Sequence, residues 1–179
     1  MNSNLMSFLK AILLGLVFLS SAAFAQDWRV KVKADSQLLP TVQMGERFVE
    51  RDARKQVVYL NAEQREQYRV VVVAGIVYNS QGQPLADSKD GNSSYPDRIN
   101  YVMDAHGNLY IFNEFLHKEI RHSSLFAGKP IAGGGEIAIH SGRITHIDSE
   151  SGHYSTSSLM GNVLKELQAD GVNTKGLGN

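Results

Sequence analysis

Glu136-Ile137-Ala138-Ile139-His140-Ser141-Gly142-Arg143-Ile144-Thr145-His146-Ile147-Asp148 sets two isoleucine-rich runs about a Ser-Gly pair. Alternating apolar residues on either side of two turn residues specify an antiparallel hairpin. Ile137, Ile139 and Ile144 share one face if Ser141 and Gly142 form a tight turn, but Ile147 then has the wrong parity. A slip of one residue would turn a whole strand inside out, so a bulge or a strand end is expected near His146.

Outward from this hairpin the same grammar repeats. Residues 99–103 and 109–112 are apolar runs about Asp104-Ala105-His106-Gly107-Asn108, a turn with glycine available for positive φ. Residues 68–73 and 76–78 flank Ala74-Gly75 as a further hairpin, residues 120–126 are expected to be a strand, and residues 27–33 alternate about Trp28, Val30 and Val32 as another. Asn61 followed by Gln64 predicts a capping box opening a short helix over 62–67. Residues 45–56 are charge-rich, with Phe48 and Val49 as anchors, and predict a surface helix or loop. Residues 82–96 are the longest loop by their Gly, Ser, Asp and Asn content. Leu159, Val163 and Leu167 form an i, i+4, i+8 stripe for a closing helix that stops at Asp170-Gly171. The fold class is therefore α+β: a mainly antiparallel sheet of hairpins, one or two short helices and a C-terminal helix.

Residues 1–25 read as a secretory signal peptide. Lys10 precedes the apolar run 11–19, and Ala23-Phe24-Ala25 places small residues ahead of a cut at Gln26. The run is about half the length needed to span a bilayer. Removal of 25 of 179 residues leaves 154, enough for one domain, with residues 26–58 expected as an extension packed on a domain of 59–179. The mature chain carries 17 basic and 18 acidic side chains, a balance that offers nucleic acid or an anionic membrane no broad attraction. The absence of cysteine excludes disulfides and thiolate metal sites. The expected location is secreted or periplasmic, with no cofactor; the expected partner is a small ligand or host protein.

The chemistry-bearing residues crowd into one region: Arg121-His122-Ser123-Ser124-Leu125-Phe126-Ala127-Gly128-Lys129-Pro130, then Gly134-Gly135-Glu136, then Ser151-Gly152-His153-Tyr154. If residues across the last hairpin sum to 283, Ser151 to His153 return beside Pro130 to Ala132. His122, Ser123, Gly128, Glu136 and His153 then surround one mouth of the sheet.

Tyr-Ile-Phe (110–112), His-Ser-Ser-Leu-Phe-Ala-Gly (122–128), Gly-Gly-Glu-Ile (134–137) and Ser-Gly-His-Tyr (151–154) resemble the core domain of the plant IQ-motif calmodulin-binding proteins. Similar domains occur in fungal and in bacterial, often toxin-associated, proteins. The likeness runs from near Tyr59 to about Val172. Residues 26–56 contain no Ile-Gln followed by spaced basic residues, so calmodulin binding is not implied. Thr156 stands where the family has Pro, and Gly134 where it has Ala, which permits a more strained bend there.

Within that motif the candidate binding residues are His122, Ser123, Ser124, Gly128, Glu136, Ser151, Gly152, His153 and Tyr154, with His122, Glu136, His153 and Tyr154 as catalytic candidates. Histidine titrates near neutrality and suits ligand binding or proton transfer as well as loop anchoring. On a strand His122 and Ser123 would point apart, so the base available to Ser123 is His153. His122, Tyr154 and Glu136 supply the residue types of an ADP-ribosyltransferase, though not in its chain order. The histidines lack metal-ligand spacing, and the glycines lack the Lys-Ser/Thr pair and helix start of a phosphate loop. The function expected is an exported ligand- or protein-binding domain, read further as a secreted bacterial effector or virulence-associated factor, with a transferase or hydrolase as the alternative.

Overall fold

The computed structural model describes residues 33, 37–89 and 94–178. The signal peptide expected over 1–25, and the strand expected over 27–33 apart from Lys33, lie outside these. Residues from Lys33 to Asn179 make up one compact unit. Its described elements run α1 (Glu46–Lys55), α2 (Ala62–Glu66), β1 (Arg69–Val73), β2 (Ile76–Tyr78), β3 (Arg98–Met103), β4 (Leu109–Phe112), α3 (His122–Leu125), β5 (Gly133–His140), β6 (Arg143–Ile147), a 3₁₀ turn (Ser157–Leu159) and α4 (Met160–Ala169).

Six strands form one antiparallel sheet in the order β2-β1-β4-β3-β5-β6. Its central strands are apolar at successive positions because both faces are covered. Tyr101, Met103, Leu109, Ile111, Ile137 and Ile139 face Val163 and Leu167 of α4. The alternate residues Val102, Tyr110 and Phe112 face a second core built from Met44, Leu60, Ile120, Leu125, Ile131 and Tyr154. The chemistry-bearing side chains lie on this second face.

The β5–β6 hairpin shows how parity is restored. Ile139 pairs with Ile144, whereas Ile137 pairs with Ile147, and the shift falls between Ala138 and Ile139. The extra residue is Thr145, and Ile147 returns to the α4 side, fully buried. Beyond that point Asp148 N–H donates to the Glu136 carbonyl, which ends the ladder.

Three local readings are corrected. Residues 120–126 are not a strand: residues 122–125 form α3, because Ser124 Oγ accepts the Arg121 N–H at 2.9 Å and the two serines favour a local turn over a ladder. β5 begins at Gly133, so the glycines lie within the strand and Gly134 makes no strained bend. Ser151 to His153 do not run beside Pro130 to Ala132. The bridge partner of Ile131 is Val42, which came from the segment preceding α1.

Elsewhere local chemistry suffices. Asn61 Oδ1 accepts Gln64 N–H and Gln64 Oε1 accepts Asn61 N–H, both at 2.9 Å, so α2 opens on a complete capping box. Lys33 Nζ bridges Glu166 at 3.0 Å and Asp170 at 2.8 Å, pinning that residue to the last turn of α4.

Candidate functional site

α3 places its entire four-residue span in the interior. His122 is fully desolvated, and its Nε2 lies 3.0 Å from the Gly135 carbonyl. A carbonyl only accepts, so Nε2 carries the hydrogen and donates. Burial pushes the ring down to about 4, so the neutral tautomer with hydrogen on Nε2 prevails at neutral pH. Its ring and that of Phe112 meet in a T-shaped arrangement, with centres 5.6 Å apart. This histidine ties α3 to β5.

Ser123, completely buried, donates from Oγ to Asp52 Oδ2 at 2.5 Å. His153 Nε2 donates to Asp52 Oδ1 at 2.9 Å, and the Tyr59 hydroxyl donates to Oδ2 at 3.2 Å. Three donors from three parts of the chain thus converge on one carboxylate. Asp52 is 2 % exposed although it belongs to a helix rich in charge, and acids are seldom buried this deeply without partners. Phe48, one turn earlier on α1, sets its ring 5.3 Å from that of His153. Burial, and then the neighbouring Asp52, hold the Tyr59 phenol above its usual value.

The surrounding residues frame this carboxylate. Gly128, at φ 74°, lies beneath Tyr59 and Met44: a Cβ there would sit 3.4 Å from the Tyr59 hydroxyl and 3.0 Å from Met44 Cε. The Tyr154 hydroxyl donates to the Lys129 carbonyl at 3.0 Å, and burial raises its pKa far above the ordinary phenol range. Ser151 Oγ accepts the backbone N–H of His153 at 3.4 Å and of Tyr154 at 3.3 Å, closing the turn that presents His153. Gly152 faces open space.

Of the residues singled out in the sequence, Ser123 and His153 meet at one carboxylate, with Gly128 close by and His122 directly behind on α3. Glu136 has a different engagement: its carboxylate lies 3.7 Å from Arg98 Nη1, and the same guanidinium lies 3.4 Å from Asp148 and stacks on Tyr95. Asp148, buried against its charge but held by donors from His146, Glu136 N–H and Glu150 N–H, sits below its ordinary value. Ser124 is spent on capping α3, and Tyr154 on the Lys129 carbonyl.

The base expected for Ser123 was His153, and the structure corrects this: both side chains donate to Asp52 instead of one accepting from the other. Asp52 and Tyr59 are the residues the motif reading missed. The signal for Asp52 was its spacing from Phe48, four residues earlier and so on the same face of α1 as the helix's aromatic anchor. Among the described residues no group of three or more His, Cys, Asp or Glu is arranged to hold a metal ion. No helix among them is long and apolar enough to cross a membrane.

A sheet covered on one side by α4, and on the other by a buried His-Ser-Ser helix facing a Ser-Gly-His-Tyr turn, defines a class of α+β domain. The family model described as the IQ motif-containing protein middle domain matches residues 64–159, and the chain belongs to that family. It is 29% identical over 101 residues to the IQ domain-containing protein IQM5 of Arabidopsis thaliana. The match covers 56% of this chain and 19% of that protein, so the chain spans only a small part of that relative's length. No solved structure matches the chain. Ser123 and His153 lie inside the matched region, whereas Asp52 and Tyr59 precede it.

Proposed function

We propose that this chain is an exported binding domain that engages a protein partner at the face where Tyr59, α1 and the Ser123–His153 pair converge. The observation that supports it is the convergence of Ser123 and His153 as donors on one carboxylate. Nucleophilic catalysis needs a hydroxyl that a substrate can reach, and Ser123 is fully buried with its hydroxyl bonded to the equally buried Asp52. Donors gathered around an acceptor suit recognition. Membership of the IQ motif-containing middle-domain family fits a binding role, and Tyr59, 41 % exposed, carries the site to the surface.

Export rests on the amino-terminal sequence, with its apolar run and Ala-Phe-Ala ending. Together with the resemblance to toxin-associated bacterial domains, this supports a secreted effector or virulence-associated factor acting on a host protein. Two measurements test the reading. Residues 1–26 fused to a phosphatase that is active only outside the cytosol should yield active enzyme, and an inactive fusion counts against export. A photo-crosslinking residue at position 59 of the full chain should form an ultraviolet-dependent adduct with one partner protein, lost in Ser123→Ala and His153→Ala chains that remain folded. Equal adducts from position 59 and from the distant position 175 would overturn the binding face.

A further inference from the structure

The geometry points to a carboxylate receptor that is filled in cis: Ser123, His153 and Tyr59 form a pocket for an acidic side chain, and Asp52 is its resident occupant. The partner is a helical protein segment carrying an acid one turn after an aromatic residue, and it takes the place of α1. This inference rests on the binding-domain reading and names the ligand chemistry of the same site.

The manner in which α1 docks supports it. A helix ordinarily packs through an apolar stripe. In Glu-Arg-Phe-Val-Glu-Arg-Asp-Ala-Arg-Lys, Asp52 is the only residue that is buried, and Val49 points outward, 53 % exposed. The one fully buried group of the helix is therefore a carboxylate, with Phe48 half-buried beside it against His153 and the second core. Elements with few buried apolar contacts open at the low end of a protein's stability range. An occupant keyed by a single polar group can be exchanged for another that presents the same group.

Two of the three receptor donors also come from a different part of the chain than the occupant, Tyr59 being the third and lying just after α1. Ser123 and His153 belong to the family domain, while α1 lies ahead of it. Ser123 is set on α3, whose His122 is tied to β5, and His153 sits on the turn closed by Ser151. Neither of these supports involves α1. Ser123 and His153 are thus positioned chiefly by the domain, with the Gly45 N–H ahead of α1 adding a bond to the His153 carbonyl at 3.3 Å, and Asp52 is what they hold.

The full-length Asp52→Ala chain, which removes the carboxylate and leaves a space of formate size, tests this. Sodium formate should raise its melting temperature saturably and beyond sodium chloride at equal ionic strength, leave wild type unmoved, and lose its effect in Asp52→Ala/Ser123→Ala. A fluorescent synthetic peptide of residues 45–57 should bind Asp52→Ala at least about tenfold tighter than wild type, whose site is already occupied. The same peptide with Asn in place of Asp52 should lose that advantage. If Asp52→Ala does not fold in chloride, the refolding yield in formate against chloride is the readout, and Asp52→Asn receives the peptide. No formate effect beyond chloride, or equal peptide affinity for wild type and variant, overturns the inference. Should that happen while the cross-link at position 59 persists, the binding face stands with a different ligand chemistry; loss of both removes the binding reading too.

Discussion

Ser123 and His153 are joined through a carboxylate that neither neighbours in sequence: Asp52 lies 71 residues from one and 101 from the other, and accepts from each on a separate oxygen. One buried residue therefore ties α1 to two distant segments of the domain.

A double-mutant cycle measures that link. Asp52→Asn offers one acceptor oxygen and turns an NH₂ toward existing donors, so it should cost about 1–3 kcal/mol. Ser123→Ala leaves Oδ2 of a buried carboxylate with only the longer Tyr59 bond at 3.2 Å and should cost a similar amount. In the double variant the losses should fall short of their sum by roughly 0.5–3 kcal/mol, read from urea denaturation. Strict additivity would show that the 2.5 Å contact carries no coupling.

His122 gives the fold a defined weakness to acid. Its ring is lowered from 6.5 to about 4 by burial, so the unfolded chain binds a proton that the folded chain refuses between those values. Where the unfolded state binds more protons, stability rises with pH. The contribution is complete above about pH 6.5 and is lost as pH falls toward 4, reaching roughly 3 kcal/mol. His122→Gln keeps a donor for the Gly135 carbonyl but cannot titrate. Urea midpoints for this variant should vary less between pH 4 and 6.5 than those of wild type; parallel profiles would assign the acid sensitivity to another group.

The capping box at α2 is exposed, so its effect should be local. Asn61→Ala removes the acceptor for Gln64 N–H and should cost about 1 kcal/mol. The melting temperature should fall by a few degrees while the Ser123–Asp52 coupling is unchanged. A loss of that coupling would show that α2 helps to hold Tyr59 and α1 in place.

What sequence made legible was short in range. The wrong parity of Ile147 required an irregularity beside His146, and the shift opposite Ala138 and Ile139 supplies it. Asn61 and Gln64 announced their helix from three residues apart. Apart from its spacing from Phe48, nothing in the sequence marked Asp52 as buried, because an acid among arginines on a charged helix is ordinarily solvated, and its partners become neighbours only once the domain has folded. The segment around His122 misled for a related reason. Ile120, Leu125 and Phe126 have strand-like composition, but Ser124 caps the turn locally, and among the described residues no strand pairs with the segment.

The glycines of β5 separate backbone necessity from tolerance. Gly134 has extended backbone, and a Cβ there would meet Ile131 Cδ1 at 3.0 Å, the movable end of a side chain. Gly134→Ala should therefore shift stability by less than about 1 kcal/mol, the cost of moving Ile131 being offset by the lower entropy of the unfolded chain. Gly135 is different: a Cβ there would collide with the Asp148 carbonyl and the Glu150 amide, backbone atoms that cannot rotate away. That backbone crosses where Asp148 N–H bonds the Glu136 carbonyl and Tyr101 donates to the Asp148 carbonyl at 2.8 Å. Gly135→Ala should cost about 3 kcal/mol or prevent folding. It should also loosen His122, whose hydrogen bond is to the carbonyl of residue 135. Thermal melts rank the two variants, and equal stabilities would show that the crossing at Asp148 can retreat.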